Sequence, residues 1–322
     1  MTALDPDVIV DRRRIKRRLS IWRFLALLAI VVAAGAVVQM ATGGGLPIVG
    51  KSHVAAVDID GLITGRKSRV ELLRKIRDSA AAKALIVRID SPGGTTAGGE
   101  VIYQELLDVA AKKPVVAVME SVAASGGYLV ALAADHVIAR GNTITGSIGV
   151  YIRWARIDDA LASLGVEVDE IKSGPLKAEP DLFGRTSLLA RTVTERMVKD
   201  SHEWFVRLVA DRRPFNITKA HILADGRVYT GRQALEDQLV DELGGEREAL
   251  KWLVEHKGID EKLEIVDWEA ESTTTIPFAA RLASWAGAVL GIDIDQAPGL
   301  GGLVAAERLD GLLSLWHPEL HR

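Results

Sequence analysis

Apolar residues fall along this chain in runs of two lengths, with helically spaced stretches between the short ones. Three short runs, residues 54–59, 84–90 and 115–119, have the length and continuity of strands buried on both faces. Between them the spacing predicts helices. Val70, Leu73 and Ile76 share one face of a helix over 70–82, and Val101, Ile102, Leu106 and Val109 mark another over 99–111. A helix over 128–134 follows the third strand, and His136 stands at a further strand start. A long helix is expected over 187–209 and a shorter one over 232–238. Strand and helix alternating in this way predict an α/β fold with a parallel sheet and helical crossovers. No segment recurs at a fixed period.

The long run has another meaning. From Phe24 to Val38 every residue is apolar or glycine. About 20 such residues span a ~30 Å hydrocarbon core, which predicts a transmembrane helix over 21–41 with membrane lipid as its partner. The preceding residues 1–20 carry Arg12, Arg13, Arg14, Lys16, Arg17 and Arg18, which favours a cytoplasmic N-terminus. A cleaved signal peptide competes, with Ala34-Gly35-Ala36 as its small-residue site. That triplet lies inside the apolar run, so an uncleaved anchor is expected. Residues 42–52, with Gly43-Gly44-Gly45 and Pro47, read as a linker. A body over 53–270 and a C-terminal extension over 271–322 follow.

Charge sharpens the division. Residues 1–41 hold 7 Lys+Arg and 3 Asp+Glu; taking these from totals of 40 and 43 leaves 33 against 40, a net −7 for the remainder. An acidic body has no electrostatic footprint for nucleic acid. With no cysteine at all, disulfides and thiolate catalysis are excluded. No HExxH or histidine-rich pattern points to a metal, and no cofactor is expected.

Candidate chemistry gathers in four glycine-marked segments. Ser121-Val122-Ala123-Ala124-Ser125-Gly126-Gly127-Tyr128 leads from the third strand into a helix start, a turn that can expose a serine nucleophile among free backbone N–H groups. The second strand breaks at Asp90-Ser91-Pro92-Gly93-Gly94. Downstream lie Thr145-Gly146-Ser147-Ile148-Gly149-Val150 and Ser173-Gly174-Pro175-Leu176-Lys177. Acyl transfer needs a nucleophile, a base and oxyanion donors, and these segments hold all three.

Together the four segments resemble the signal peptide peptidase A family, membrane-bound bacterial serine proteases. Asp225-Gly226-Arg227-Val228-Tyr229-Thr230-Gly231-Arg232-Gln233-Ala234 and Leu239-Val240-Asp241 also match, so the resemblance covers roughly residues 53–260. It implies the fold of Clp protease and the crotonases, built of repeated ββα units, with a serine protease domain over 53–270. It implies Ser125 as nucleophile, Lys177 as general base, and Ser147 as the hydroxyl that orients the lysine. Gly94 and Gly126 become candidates for the oxyanion hole through their backbone N–H groups. The implied enzyme is a homo-oligomer, an octamer in short family members, with serine and lysine from adjacent protomers. Its peptide substrates would be remnant signal peptides and other exported polypeptides, met on the outer side of the bacterial inner membrane. One departure stands out: where the family has glycine before Leu-Val-Asp, this chain has Gln238, and a local shift of that turn is expected.

Other readings stay open. Lys177 as a solvated surface charge, Ser147 as a loop hydroxyl and the glycines as turn residues are the plain alternatives, and Lys172 is a second candidate base. A Ser-His-Asp hydrolase would need one of seven histidines, none of which sits in a Gly/Ser-rich loop. A crotonase-like acyl-thioester enzyme and a catalytically idle scaffold are the rivals from other classes. In the extension, residues 303–315 read as helix-like, and packing on the assembly is its default role, with membrane contact or a place near the substrate groove as alternatives.

Overall fold

The computed structural model describes residues 51–270, together with Trp22, Arg23 and Ala26 and the strand Leu313–Leu315. The chain divides into two compact units, Met1–Lys51 and Ser52–Arg322. In the first unit Trp22, Arg23 and Ala26 are helical and exposed. The rest of the expected span over 21–41, the basic segment 1–20 and most of the linker lie outside the described residues. Among the described residues no helix is long and apolar enough to cross a membrane.

The second unit opens in strict alternation: β1 (His53–Ile63), α1 (Lys67–Asp78), β2 (Ala82–Thr95), α2 (Thr96–Ala110), β3 (Val115–Ala124), α3 (Gly126–Ala131). Then come β4 (His136–Ala139), β5 (Ile144–Gly146), α4 (Asp158–Ser163), α5 (Leu188–Arg212), α6 (Ile217–Leu223) and β6 (Val228–Thr230). The set closes with α7 (Gly231–Glu236), β7 (Glu242–Leu243), α8 (Glu246–Lys257), β8 (Ile265–Asp267) and β9 (Leu313–Leu315). One mixed sheet runs in the order β6-β5-β3-β2-β1-β8, with β4 and β7 branching from β3 and β9 joined to β2. Every pairing is parallel except β5 with β6 and β2 with β9.

The continuous apolar runs have a direct cause: both faces of the central strands are covered. Ala55, Val57, Ile59, Leu85, Val87, Ile89, Val115, Ala117 and Met119 point to one side, where α1, α2, α3 and α5 close the core. Their alternating neighbours Val54, Ala56, Ala84, Ile86, Val116 and Val118 point to the other, against Ala249 and Leu253 of α8. The two-residue period sorts them. Leu73 and Ile76 of α1 are fully buried, worth about 1.5–3 kcal/mol each relative to exposure. Val101, expected on the apolar face of its helix, is exposed instead.

Two boundaries differ from the sequence expectation. The first helix ends at Asp78 rather than 82, because the Lys113 ammonium draws in the carbonyls of Ile76, Ser79 and Ala82 at 2.6, 2.8 and 2.9 Å. The second strand does not break at Pro92. It runs on to Thr95, since Gly93 and Gly94 pair with Leu62 and Ile63 at the tail of β1. Within the helix-like reading of 303–315, residues 313–315 form a strand.

The stretch between β5 and α5 is built differently. Its one helix, α4, has no buried residue. Leu164, Ile171 and Phe183 stand exposed along it, Ile171 fully so, as does Leu188 at the start of α5.

Candidate active site

Ser125 sits where β3 gives way to α3. Val122, Ala123 and Ala124 pair with Ile144, Thr145 and Gly146 of β5, and the Ser125 amide donates to the Gly146 carbonyl at 2.7 Å. The chain then turns at once into the helix. Ser125 makes that turn with φ 55° and ψ −114°, and its hydroxyl does not cap the helix. This backbone is rare for a residue with a Cβ and costs about 1–3 kcal/mol. The surroundings impose it. A Cβ on Gly127 would lie 2.7 Å from the Ser91 carbonyl oxygen, so the helix start is pressed against β2. Tyr128, fully buried, donates its hydroxyl to the Leu239 carbonyl at 2.9 Å and fixes the helix from behind. The first-turn amides of a helix have no partner within it. Gly126 therefore presents an N–H beside the serine.

Ser147 has a similar setting. It takes φ 49°, directly after Gly146 at φ 79°, and its amide donates to the Arg227 carbonyl at 2.8 Å. Gly146 is required there, since a Cβ would fall 2.4 Å from the Tyr229 ring. Both serines are buried in the chain, and both line one cleft of about 930 Å³. Ile148, Val150 and Trp154 give it apolar walls, and one face of α5 brings Lys199 and His202.

The remaining expected site residues divide. Gly94 lies in the tail of β2, and its missing side chain faces backbone: a Cβ would sit 1.9 Å from the Ile63 carbonyl oxygen. That close approach, rather than a turn, demands glycine. Lys177 is exposed, on a turn closed by its own amide to the Gly174 carbonyl at 3.1 Å, and is not among the residues lining the cleft. Lys172 is held by Glu170 at 2.7 Å, Glu179 at 3.5 Å and Asp181 at 3.8 Å. Its hydrogen bond to Glu170, foremost, holds the ammonium above the ordinary lysine range. That is the wrong direction for a base. A single chain thus brings Ser125 and Ser147 together and leaves both lysine candidates outside.

Lys199 escaped the sequence reading, and His202 was set aside there with the other histidines for lack of a Gly/Ser-rich loop. The His202 ring nitrogen Nε2 lies 2.9 Å from the Ala224 carbonyl oxygen, which only accepts, so Nε2 carries the proton. The available signal was their three-residue spacing on α5, together with Glu195, which puts all three on one helix face. Among the described residues no cluster of His, Cys, Asp and Glu is fit to hold a metal ion.

Residues 108–260 match the model of peptidase family S49. The chain is 36% identical over 218 residues to a putative protease of Synechocystis sp., covering 67% of this chain and 78% of that protein. It is 31% identical to a putative signal peptide peptidase SppA of Enterococcus faecium, over 67% of this chain and 63% of that one. It is 32% identical to protease 4 of Haemophilus influenzae over 62% of this chain, and there it spans only 34% of the longer relative.

Proposed function

The chain belongs to peptidase family S49 and is a protease of the SppA type, and we propose that it is a serine endopeptidase whose nucleophile is Ser125. The observation that carries this is the backbone of that residue: a buried serine held at φ 55° at the head of a cleft. Strain of this kind persists where surrounding structure imposes it, and it gathers at catalytic turns.

In this reading Ser125 Oγ attacks a peptide carbonyl and a neutral Lys177 amine takes its proton. Backbone N–H groups, that of Gly126 foremost and Gly94 as the second candidate, hold the oxyanion; one such donor is worth ~10²–10³ in rate. Collapse of the tetrahedral species expels the amine, protonated by the lysinium, and water then hydrolyses the acyl-enzyme. Ser147 directs the lysine amine.

Lys177 reaches the serine of a second copy. Its exposed position in one chain supports this, as do Leu164, Ile171, Phe183 and Leu188, whose exposure suits burial between copies. We take the domain to follow the Clp protease and crotonase-like fold, carried by a membrane helix over 21–41 with the cleft outside the cytoplasm. The substrates are remnant signal peptides and other exported polypeptides.

The competing base is His202 or Lys199, in the cleft of the same chain. Co-expression of differently tagged Ser125→Ala and Lys177→Ala chains decides between them. Each variant alone is expected to be inactive on peptides, while mixed assemblies regain about a quarter of parental activity from sites with one intact residue from each copy. Activity surviving in Lys177→Ala alone would hand the base to α5. Hydrolysis of acyl thioesters in place of peptides would sink the protease reading.

A further inference from the structure

From Gly149 to Leu189 not one residue is buried, although this stretch carries Lys177. Ordering a chain costs conformational entropy, and no apolar core offsets that here. The stretch is gathered around a cation instead. The Lys172 ammonium stands 2.7 Å from Glu170, 3.5 Å from Glu179 and 3.8 Å from Asp181. The side chains of Lys172, Glu179 and Asp181 are only 22%, 13% and 15% exposed, while the large apolar side chains around them stand open.

The three carboxylates fall on both sides of Ser173-Gly174-Pro175-Leu176-Lys177 in the chain. One ammonium therefore closes a loop: residues 170–172 form one limb, 179–181 the other, and Lys177 rides between them. The loop's own bonds do not replace it. The Lys177 amide spans only to the Gly174 carbonyl, and Ala178, next in line, holds a left-handed φ of 63° that its Cβ disfavours. Lys172 is the one ion-pair partner of Glu179 among the described residues, and Glu179 Oε2 is buried with no partner. A carboxylate so placed needs its cation to stay where it is. We infer that Lys172 is a positioning residue for the reaction: it draws Glu170, Glu179 and Asp181 together and so sets where the loop carries Lys177. This rests on Lys177 being the base for Ser125. It gives the second lysine a part of its own, as the fastener of the loop on which the base rides.

The full-length enzyme in detergent tests this through two variants. Lys172→Met keeps the stem and removes the cation, leaving three like charges that push the limbs apart; Lys172→Arg keeps the cation. Both are read for kcat and KM on a fluorogenic peptide, for the rate of Ser125 labelling by a fluorophosphonate, and for assembly size. A catalytic group misplaced by about 1 Å costs up to ~10²-fold, so Lys172→Met should lower kcat roughly ten- to hundredfold with KM within about twofold of the parent. Lys172→Arg should restore most of that loss. In a Lys177→Ala background Lys172→Met should slow Ser125 labelling no further, because the residue it positions is gone. Parental kcat in Lys172→Met, no rescue by arginine, or a further slowing in the Lys177→Ala background overturns the inference and leaves the protease reading intact. Should Lys172→Met fail to assemble, Glu179→Gln takes its place, with kcat expected to fall by about threefold at unchanged KM; parental kcat there overturns the inference as well. Labelling of Ser125 in Lys177→Ala as fast as in the parent would instead remove the reading beneath it.

Discussion

The Tyr128 hydroxyl donates to the Leu239 carbonyl at 2.9 Å, joining the first turn of α3 to a turn 111 residues further along the chain. Tyr128 follows the strained serine by three positions and is fully buried. Burial pushes its phenol well above the ordinary tyrosine range, so it remains a donor at any working pH. Tyr128→Phe keeps the ring and leaves the Leu239 carbonyl short of a partner. The expected cost is about 1–2 kcal/mol, a Tm lowered by roughly 2–6 °C. Peptide kcat should fall as well, because the turn carrying Ser125 loses its backstop. An unchanged Tm would show that the carbonyl finds another donor.

Gly94 offers a separation of fold from chemistry. Alanine there drives a methyl into the Ile63 backbone, within 1.9 Å of its oxygen and 2.6 Å of its nitrogen. Backbone meets backbone, with no flexible side chain to yield. Gly94→Ala should destabilise the domain by more than ~3 kcal/mol in urea unfolding. A variant of parental stability that had lost only activity would place the constraint in the substrate rather than in β1.

Gln238 stands where the resembling family has glycine, and it adopts the left-handed backbone, φ 64°, that glycine favours. The turn is tied to the body by the Gln238 carbonyl, which accepts from Arg213 Nε at 2.7 Å. A left-handed residue with a Cβ costs roughly 1–2 kcal/mol, part of which glycine would return through a freer unfolded chain. Gln238→Gly is expected to raise stability by about 0.5 kcal/mol in chemical denaturation, even though an exposed hydrogen bond from Lys219 at 3.0 Å is lost. Destabilisation would mean that the side chain matters more than the backbone.

Asp60 makes one contribution to the pH dependence of stability. Its carboxyl is pushed above the ordinary value, first by burial and then by Asp58 and Asp90, against the opposing pull of Arg69 and Arg88. A carboxylate with a raised folded pKa binds its proton more tightly in the native state. Ionised Asp60 therefore penalises folding at pH above that raised value, and the penalty fades as pH falls through it toward 3.8. Asp60→Asn should give a small rise in Tm at pH 7 that disappears near pH 4. A gain persisting at pH 4 would remove the charge explanation.

The core of the fold was legible because both-face burial writes continuous apolar runs at 54–57, 84–87 and 115–119. The glycine segments located Ser125 and Ser147 because tight turns leave their mark locally. What could not be read was set by partners distant in sequence. β5 to β8 are strands of two or three residues that exist through pairing and carry little pattern of their own, whereas the start of β4 at His136 was legible. The run through Pro92-Gly93-Gly94 looked like a strand end, and only the tail of β1 extends it. His202 and Lys199 reach the cleft by the rotation of α5, which no short motif records. Lys177 is the clearest case: its place in Ser173-Gly174-Pro175-Leu176-Lys177 was legible, while its exposed position away from the cleft lining was not.

The separation of Ser125 from Lys177 has a consequence for the life of the molecule. A cell that makes a protease must keep it from its own ribosome-fresh proteins, and many such enzymes carry a propeptide for the purpose. Here a single chain emerging from synthesis holds a serine in a buried, strained turn and the proposed base on an outlying loop. On the two-copy reading, that lysine reaches a serine only when chains meet. On the same reading, cleavage waits until chains have been brought together.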